Sequence, residues 1–366
     1  MKKYAYNDIT LMQYIFLIHG AQVGIGVLSL PRLLAESAGT DGWISILFGW
    51  ILSTGASLMI VQVMKRYPNA TLIELLILYF GKWIGKAAAL LIALYFSLFT
   101  TVVILMAIAI TKTWILPQTA HYVVMMLLLF PGYIILRHGI RVVGRYSELV
   151  FFMTLWMPMI LIFSLQDAHW LHLLPVIKEG WSPILQTVQS TVFSFLGFEI
   201  AFFLYPFVKH KQAASIGIVV ANTLSMLFFL HVTIVAFVFF APNEIFQYKW
   251  PTLSLLKVIE FRFLERFDIV FLISYLFIIS TTWMPLMFFV VFTTAQLMGK
   301  QDHSRHLYVF LSLLIVVSFF YIPSLNQIVK LEQLNSRLGF NFAYVFPVFL
   351  WLYGKLYDRF RTGGSK

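Results

Sequence analysis

Long apolar runs separated by short polar segments dominate the chain. A helix needs roughly 20 apolar residues to cross the hydrocarbon of a bilayer, and ten runs approach or exceed this length, the fourth and ninth being the shortest. The predicted spans are Leu11 to Leu34, Trp43 to Met64, Ile84 to Leu116, Tyr122 to Leu136, Ser147 to Leu165, Ile184 to Phe207, Ala213 to Ala241, Phe267 to Met298, Tyr308 to Ile322 and Phe340 to Tyr357. The pattern predicts an all-α integral membrane protein with one transmembrane domain over residues 1–366.

Composition supports a membrane protein and argues against other classes. The chain is 60% hydrophobic and only 11% charged, whereas soluble domains carry about 25% charged residues. The net charge of +11 comes from Lys and Arg in twos and threes between apolar runs. A nucleic-acid binder would cluster them on one face near aromatic platforms, so no nucleic acid is expected. The chain has no cysteine, which excludes disulfides and thiol chemistry.

The distribution of charge between the loops predicts the orientation. One side receives 17 of the 26 Lys and Arg residues, and the other side carries most of the acids. Because cytosolic loops are enriched in Lys and Arg, the cation-rich side is expected to be cytosolic, with both termini there. An odd number of spans would mix the two groups, so the charge pattern also favours ten.

The outer segment 243–266 has the pattern of an amphipathic helix. Its apolar residues recur at helical spacing: Leu253, Leu256, Ile259 and Phe263. Two placements fit this pattern. The helix covers the outer face of the bundle, or it lies at the lipid interface.

Two of the spans are interrupted by glycine. The first contains Gly24 and Gly26, and the sixth contains Gly197 followed by Glu199. Spans one and six hold matching positions in two five-span halves, 9–165 and 184–357, and such matched interruptions are typical of a binding site in an inverted-repeat transporter. Half-helix N-termini there offer free N–H groups to an anion such as a carboxylate. The alternative is that the small residues only let helices pack closely.

Five stretches carry a family resemblance. The run GIGVLSLPR (Gly24 to Arg32) resembles the first-helix motif of the amino acid–polyamine–organocation transporter superfamily. The closer resemblance is to the B subunit of spore germination nutrient receptors, the endospore germination permease family. The other stretches are DGW (Asp41 to Trp43), GKWIG (Gly81 to Gly85), SFLGFEIAFFLYP (Ser194 to Pro206) and WPTLSLLKVIEFRFLERFD (Trp250 to Asp268).

The resemblance implies a fold and a setting. The fold would be a five-plus-five inverted repeat of the LeuT-like kind, with helices one and six broken near the midplane. The protein would lie in the spore inner membrane and sense a small-molecule germinant. It would act with an A subunit and a lipoprotein C subunit, surrounded by membrane lipids.

The resemblance also implies site residues. Those matching the two breaks are Val23, Gly24, Gly26, Leu28, Leu196, Gly197 and Glu199. Helices three and eight complete the pocket in this architecture, and the polar residues at about the same depth are Ser97, Thr100, Thr281 and Thr282. These four hydroxyl residues have an alternative role in ordinary interhelical hydrogen bonds.

Glu199, His19 and His231 lie deep within the spans. Glu199 is the one acid near mid-membrane, where an ionisable group is a functional candidate. It could bind a ligand amine, carry a proton or brace the unwound backbone. The roles of His19 and His231 stay open between a ligand or proton function and a hydrogen bond to a neighbouring helix.

The leading hypothesis is a germinant-sensing receptor subunit that binds an amino acid at the two breaks. The alternative is a proton-coupled amino-acid transporter. An enzyme is not expected, because the sequence contains no H-E-x-x-H, P-loop or G-x-S-x-G motif. No cofactor or metal is predicted.

Overall fold

The computed structural model describes residues 7–258 and 266–363. Within them, five helices are long and apolar enough to cross a membrane alone, and a bent pair in the sixth span makes a further crossing. Two shorter apolar helices correspond to spans four and nine. The remaining predicted spans are helical as well but are broken or too polar to pass on composition.

The first half of the chain contains seven helices. They are α1 (Leu11–Val23), α2 (Gly26–Ala38), α3 (Gly42–Lys65), α4 (Leu72–Trp114), α5 (His121–Leu136), α6 (Ile140–Met153) and α7 (Trp156–Ile160). The first span is α1 plus α2, and the fifth is α6 plus α7 with a 3₁₀ extension, Leu161–Asp167.

The described residues of the second half form eight helices. They are α8 (Trp181–Ser194), α9 (Ala201–Leu204), α10 (Ala214–Phe239), α11 (Pro251–Leu255), α12 (Phe267–Leu297), α13 (Ser304–Phe320), α14 (Leu325–Phe340) and α15 (Phe346–Gly363). Short 3₁₀ turns extend α9 at both ends, and the whole stretch Phe198–Phe207 is called the α9 segment below. The sixth span is α8 plus the α9 segment.

Hydrogen bonds join the cation-rich ends of the spans at one face of the bundle. Ile9 and Val208 form a parallel bridge, and the Lys211 ammonium donates to Asn69 Oδ1 at 2.7 Å. Near the other end of the chain, Asp358 lies 3.4 Å from the Arg66 guanidinium. Both ends of the described chain therefore lie at this face, called the terminal face, as an even number of crossings requires.

The tenth span lies earlier in the chain than the prediction of 340–357. Helix α14, a π-helical turn (Asn341–Val345) and α15 run on without interruption from Leu325 to Gly363. Gly339 packs against Leu196 and the Tyr95 hydroxyl, at the level of the break in span six. The crossing is therefore centred near Gly339. Hydropathy missed its first half because that half is polar.

Spans three and five also begin differently from their predictions. Helix α4 starts at Leu72, twelve residues before the predicted start at 84, and is kinked at Gly81, where φ is 79°. Span five starts at Ile140 instead of Ser147. The stretch Leu72 to Phe80 is itself mostly apolar, but the kink at Gly81 separates it from the rest of α4, which begins close to the predicted start. In span five, the first two turns carry Arg141 and Arg145, and the prediction assigned them to a loop because it counted only apolar residues.

The outer segment 243–266 is only partly described, and residues 259–265, which include Ile259 and Phe263, lie outside the described part. The rest forms a 3₁₀ turn, then α11, then a second 3₁₀ turn. Leu253 is buried, and the Thr252 hydroxyl donates to the Val27 carbonyl at 3.2 Å. This part of the segment therefore packs over α2.

Candidate ligand site at the two helix breaks

The break in span one is a single turn of backbone. Helix α1 ends at Val23, Gly24 has a φ of 29°, and α2 begins at Gly26. Hydroxyl groups of α12 satisfy the last carbonyls of α1. Thr282 donates to the Gly20 carbonyl at 2.7 Å, and Tyr275 donates to the Gly24 carbonyl. The C-terminal end of α1 is thus closed by α12, the helix of the eighth span.

The break in span six is tied to span one by direct backbone contact. Helix α8 and the α9 segment are bent by 46°, and Gly197 between them has a φ of 123°. A Cβ atom at Gly197 would lie 2.6 Å from the carbonyl carbon and oxygen of Ala21 and 2.8 Å from the Gln22 nitrogen. Neither the dihedral angle nor the space admits a side chain, so glycine is required here.

A buried amide network closes the C-terminal end of α8. The Gln22 amide donates to the Phe195 carbonyl at 3.0 Å and to Asn222 Oδ1 at 2.7 Å. Its oxygen accepts from the Ser225 hydroxyl at 2.8 Å, and His19 Nδ1 is bonded to the same hydroxyl at 2.9 Å. The end of α8 is therefore held by a side chain of α1 and braced by α10.

Glu199 closes the start of the α9 segment. Its carboxylate is fully buried. One oxygen accepts from the Gly197 backbone N–H and the other from the Tyr95 hydroxyl, both at 2.6 Å. A carboxylate at a helix N-terminus is favoured by the helix dipole. Of the three roles open to Glu199, the geometry shows the bracing of unwound backbone; the ligand and proton roles stay predictions.

The start of α2 differs from the other three half-helix ends. Its N-cap residue, Ile25, has an apolar side chain that cannot cap the helix, and no side chain in the described residues accepts a hydrogen bond there as Glu199 does from the Gly197 N–H. A Cβ atom at Gly26 would meet no other atom within 4 Å, and Gly26 is partly exposed. Unpaired N–H groups at a helix start form a ready site for an anion.

The predicted pocket residues of spans three and eight lie on α4 and α12. Their environments differ. Thr282 closes α1, and the Thr281 hydroxyl donates within its own helix to Ile278 at 2.7 Å. Thr100 is fully buried, and its hydroxyl has no hydrogen-bond partner in the described part of the chain. Ser97 is half-buried. Among these four residues, Thr100 is therefore the one whose polar side-chain atom is both buried and unsatisfied in the described part of the chain.

The remaining predicted residues are apolar. Val23, Leu28 and Leu196 are all buried beside the breaks, with exposures of 2%, 0% and 4%. Their side chains can shape a pocket but supply no polar contact. No hydrogen bond distinguishes them from the surrounding core.

Sequence reasoning missed several polar residues that hold the breaks. Gln22 and Asn222 lie in apolar spans, and a buried amide inside a span is itself a signal, since it must find partners there. Tyr95 and Tyr275 carry no such signal. The chain has 17 tyrosines, and a tyrosine in a span is not unusual enough to single out one position. Only packing shows which of them reach the breaks.

The two histidines have partners on neighbouring elements. His19 belongs to the amide network, and His231 Nε2 is bonded to the Pro158 carbonyl at 2.8 Å. Pro158 lies in α7, just after the bend in span five. Both contacts are interhelical hydrogen bonds, and no contact in the structure tests a ligand or proton role for either histidine.

Comparison with solved structures identifies the fold. The crystal structure of MhsT in complex with L-phenylalanine matches with a TM-score of 0.67 over 93% of this chain and 87% of that chain, at 13% sequence identity. At this identity the match shows the fold alone. It confirms the predicted ten-helix inverted repeat with broken helices one and six.

Comparison with known sequences identifies the family. Spore germination protein GerQB of Bacillus cereus is 28% identical over 344 residues, covering 92% of this chain and 93% of that protein. Spore germination protein YndE of Bacillus subtilis (strain 168) is 27% identical over 300 residues, 80% of each chain. The family model described as spore germination protein matches residues 8–328. The chain therefore belongs to the spore germination permease family, as its motifs predicted.

Proposed function

We propose that this chain is the germinant-sensing subunit of a spore germination receptor. It binds a small molecule, an amino acid, at the breaks of helices one and six, and signals to an A subunit and a lipoprotein C subunit. Family membership and the germination names of its relatives support the general role. In this proposal the membrane is the spore inner membrane and the terminal face is cytosolic.

One observation carries the choice of site. Side chains of the protein close the ends of α1, α8 and the α9 segment, whereas the start of α2 has no side-chain cap and opens at Gly26. A ligand carboxylate would complete this helix start as Glu199 completes the other. The L-phenylalanine bound by MhsT, a protein of the same fold, supports an amino acid as the ligand class.

The proposal is tested on spores that lack this chain. Their germination is screened against single amino acids and sugars, and radiolabelled uptake of any active nutrient is measured with the isolated chain in vesicles. We expect loss of the response to one amino acid and no uptake by the isolated chain. Unchanged germination with every nutrient would refute the receptor role, and loss of a sugar response only would refute the ligand class.

The site is tested with Gly26→Leu. The larger side chain fills the opening beside the α2 start, so the nutrient response should disappear while the protein is still produced. Gly55→Leu is the matched control, since a Cβ there also meets open space but Gly55 is exposed within α3. A normal response in Gly26→Leu spores would place the ligand elsewhere.

A proton-coupled amino-acid transporter is the second candidate. It draws support from Glu199, a fully buried carboxylate that bridges span six and span three. Concentrative uptake by the isolated chain that depends on a pH gradient and is lost in Glu199→Gln would favour it. Ligand affinity that Glu199→Gln leaves unchanged at every pH would remove the proton from Glu199.

A further inference from the structure

The outward face of the tenth helix carries a polar stripe. Its members follow helical spacing and are all exposed: Asn326, Lys330, Gln333, Arg337 and Asn341. The buried residues of α14, namely Ile328, Asn335 and Gly339, lie on the opposite side of the helix. The stripe therefore points away from the bundle.

In inverted-repeat folds of this kind the broken helices lie near the membrane midplane, and the stripe extends to that depth. Gly339 packs against Leu196 and Tyr95, which places it at the level of the span-six break. With a rise of about 1.5 Å per residue, Arg337 lies about 3 Å from this level and Lys330 about 14 Å. The hydrocarbon extends about 15 Å to each side of its centre. Arg337 is thus attached deep within the hydrocarbon and Lys330 near its edge.

No acid in the described part of the chain compensates these two cations. The three ion pairs found there involve other residues. The one polar contact at this part of the stripe is the Asn341 amide, which donates to the Arg337 backbone carbonyl at 3.0 Å. Snorkelling brings Lys330 to the interface, but Arg337 starts too deep to leave the hydrocarbon. An unpaired cation at that depth is expensive, and such residues normally meet a partner or water.

We propose that this stripe is the docking surface for a membrane-spanning helix of a partner subunit. That helix presents a carboxylate at the depth of Arg337 and polar groups toward Gln333 and Asn341. A second copy of this chain does not fit, because a symmetric parallel contact sets each Arg337 against its own copy. The stripe contains cations and amides only, so its complement must bring the negative charge.

The position of the stripe gives it a route to the proposed ligand site. Its opposite side is Gly339, which touches Leu196 at the span-six break and the Tyr95 hydroxyl that holds Glu199. A shift of α14 therefore moves the residues at the span-six break. Conversely, a shift at the break moves α14 against the partner helix. This coupling rests on the proposed function, whereas the docking surface itself stands on burial and depth alone.

Cysteine cross-linking provides the first test, because the chain has no cysteine of its own. Gln333→Cys and Asn341→Cys are produced in membranes together with the A subunit and the C subunit of the proposed receptor. A thiol-directed photo-cross-linker should join both positions to the A subunit. Phe130→Cys is the control, since Phe130 is 70% exposed on another span and should give no adduct.

Two outcomes would overturn the docking surface. Rapid labelling of both cysteines by a membrane-impermeant maleimide in the assembled receptor would show a water-filled crevice. Cross-links only between copies of this chain would show a homodimer contact.

Charge removal provides the second test. In Lys330→Leu/Arg337→Leu, recovery of the A subunit on the tagged chain should fall at least tenfold, while the thermal midpoint of the isolated chain is unchanged or raised. A purely structural role predicts a lowered midpoint instead. Lys355→Leu, a cation on the same helix near the terminal face, should leave recovery unchanged.

Undiminished recovery in the double variant would refute the proposal. The proposed function fails separately, by normal germination of spores that lack the chain.

Discussion

The two helix breaks are built from similar glycine motifs but are finished differently. In span six, the sequence that forms the break also supplies Glu199, whose carboxylate closes the following helix start. In span one, no side chain in the described part of the protein closes the start of α2. Gly197 is pressed against Ala21, whereas Gly26 faces open space. The break in span six therefore fixes spans one and six against each other, whereas the break in span one leaves the α2 start open.

The largest expected effect separates the two glycines. Gly197→Ala places a methyl group against the Ala21 backbone and strains a φ of 123°, which should cost about 3 kcal/mol or more of stability. Gly26→Ala should cost little, because its Cβ meets nothing within 4 Å. Thermal unfolding of the purified proteins measures both. Equal stability of the two variants would contradict the conclusion that Gly197 is tightly packed and Gly26 is not.

The next effect concerns the closure of span six. Glu199→Ala leaves the Gly197 N–H and the Tyr95 hydroxyl without acceptors, which should cost about 2–4 kcal/mol. Glu199→Gln keeps one acceptor oxygen and should cost less. The two variants are compared by their unfolding midpoints in the same detergent. If glutamine is as damaging as alanine, the negative charge and not the hydrogen bonding is what the α9 segment requires.

The smallest effect concerns Tyr95 of α4, whose hydroxyl supports the Glu199 carboxylate. Tyr95→Phe removes one of the two donors to Glu199 and should cost about 1 kcal/mol without abolishing the nutrient response. Tyr353→Phe is a matched control, since its hydroxyl donates to the Tyr79 carbonyl at 3.1 Å, far from the breaks. A complete loss of the response in Tyr95→Phe alone would mean that Tyr95 itself contacts the ligand.

The pattern of apolar runs predicted most of the fold for a direct physical reason. Helices that face lipid must be apolar over their whole crossing, so such spans can be recognised from the sequence alone. The span predicted as 267–298 is α12, found as Phe267–Leu297. The tenth span was misplaced because α14 carries Lys330, Glu332 and Arg337. A helix that carries charged side chains along its length does not look like a span in hydropathy.

The candidate site was only partly predictable. Glycines 24 and 197 were visible, and both have positive φ values at real breaks. The helix ends are also held by hydrogen bonds from Gln22, Tyr95 and Tyr275. Only the contacts across the bundle reveal the role of these three residues. Gln22 lies 173 residues from the carbonyl it holds. No local pattern encodes such a pairing.

The sequence by itself determined the membrane class, the broken helices and the family of this protein. These follow from local properties: apolar length, glycine conformation and motif order. Only the tertiary structure decided which half-helix ends are closed, which one is open, and that the polar stripe of the tenth helix faces outward. Those features depend on which side chains meet across long sequence separations, and on the depth at which helices pack.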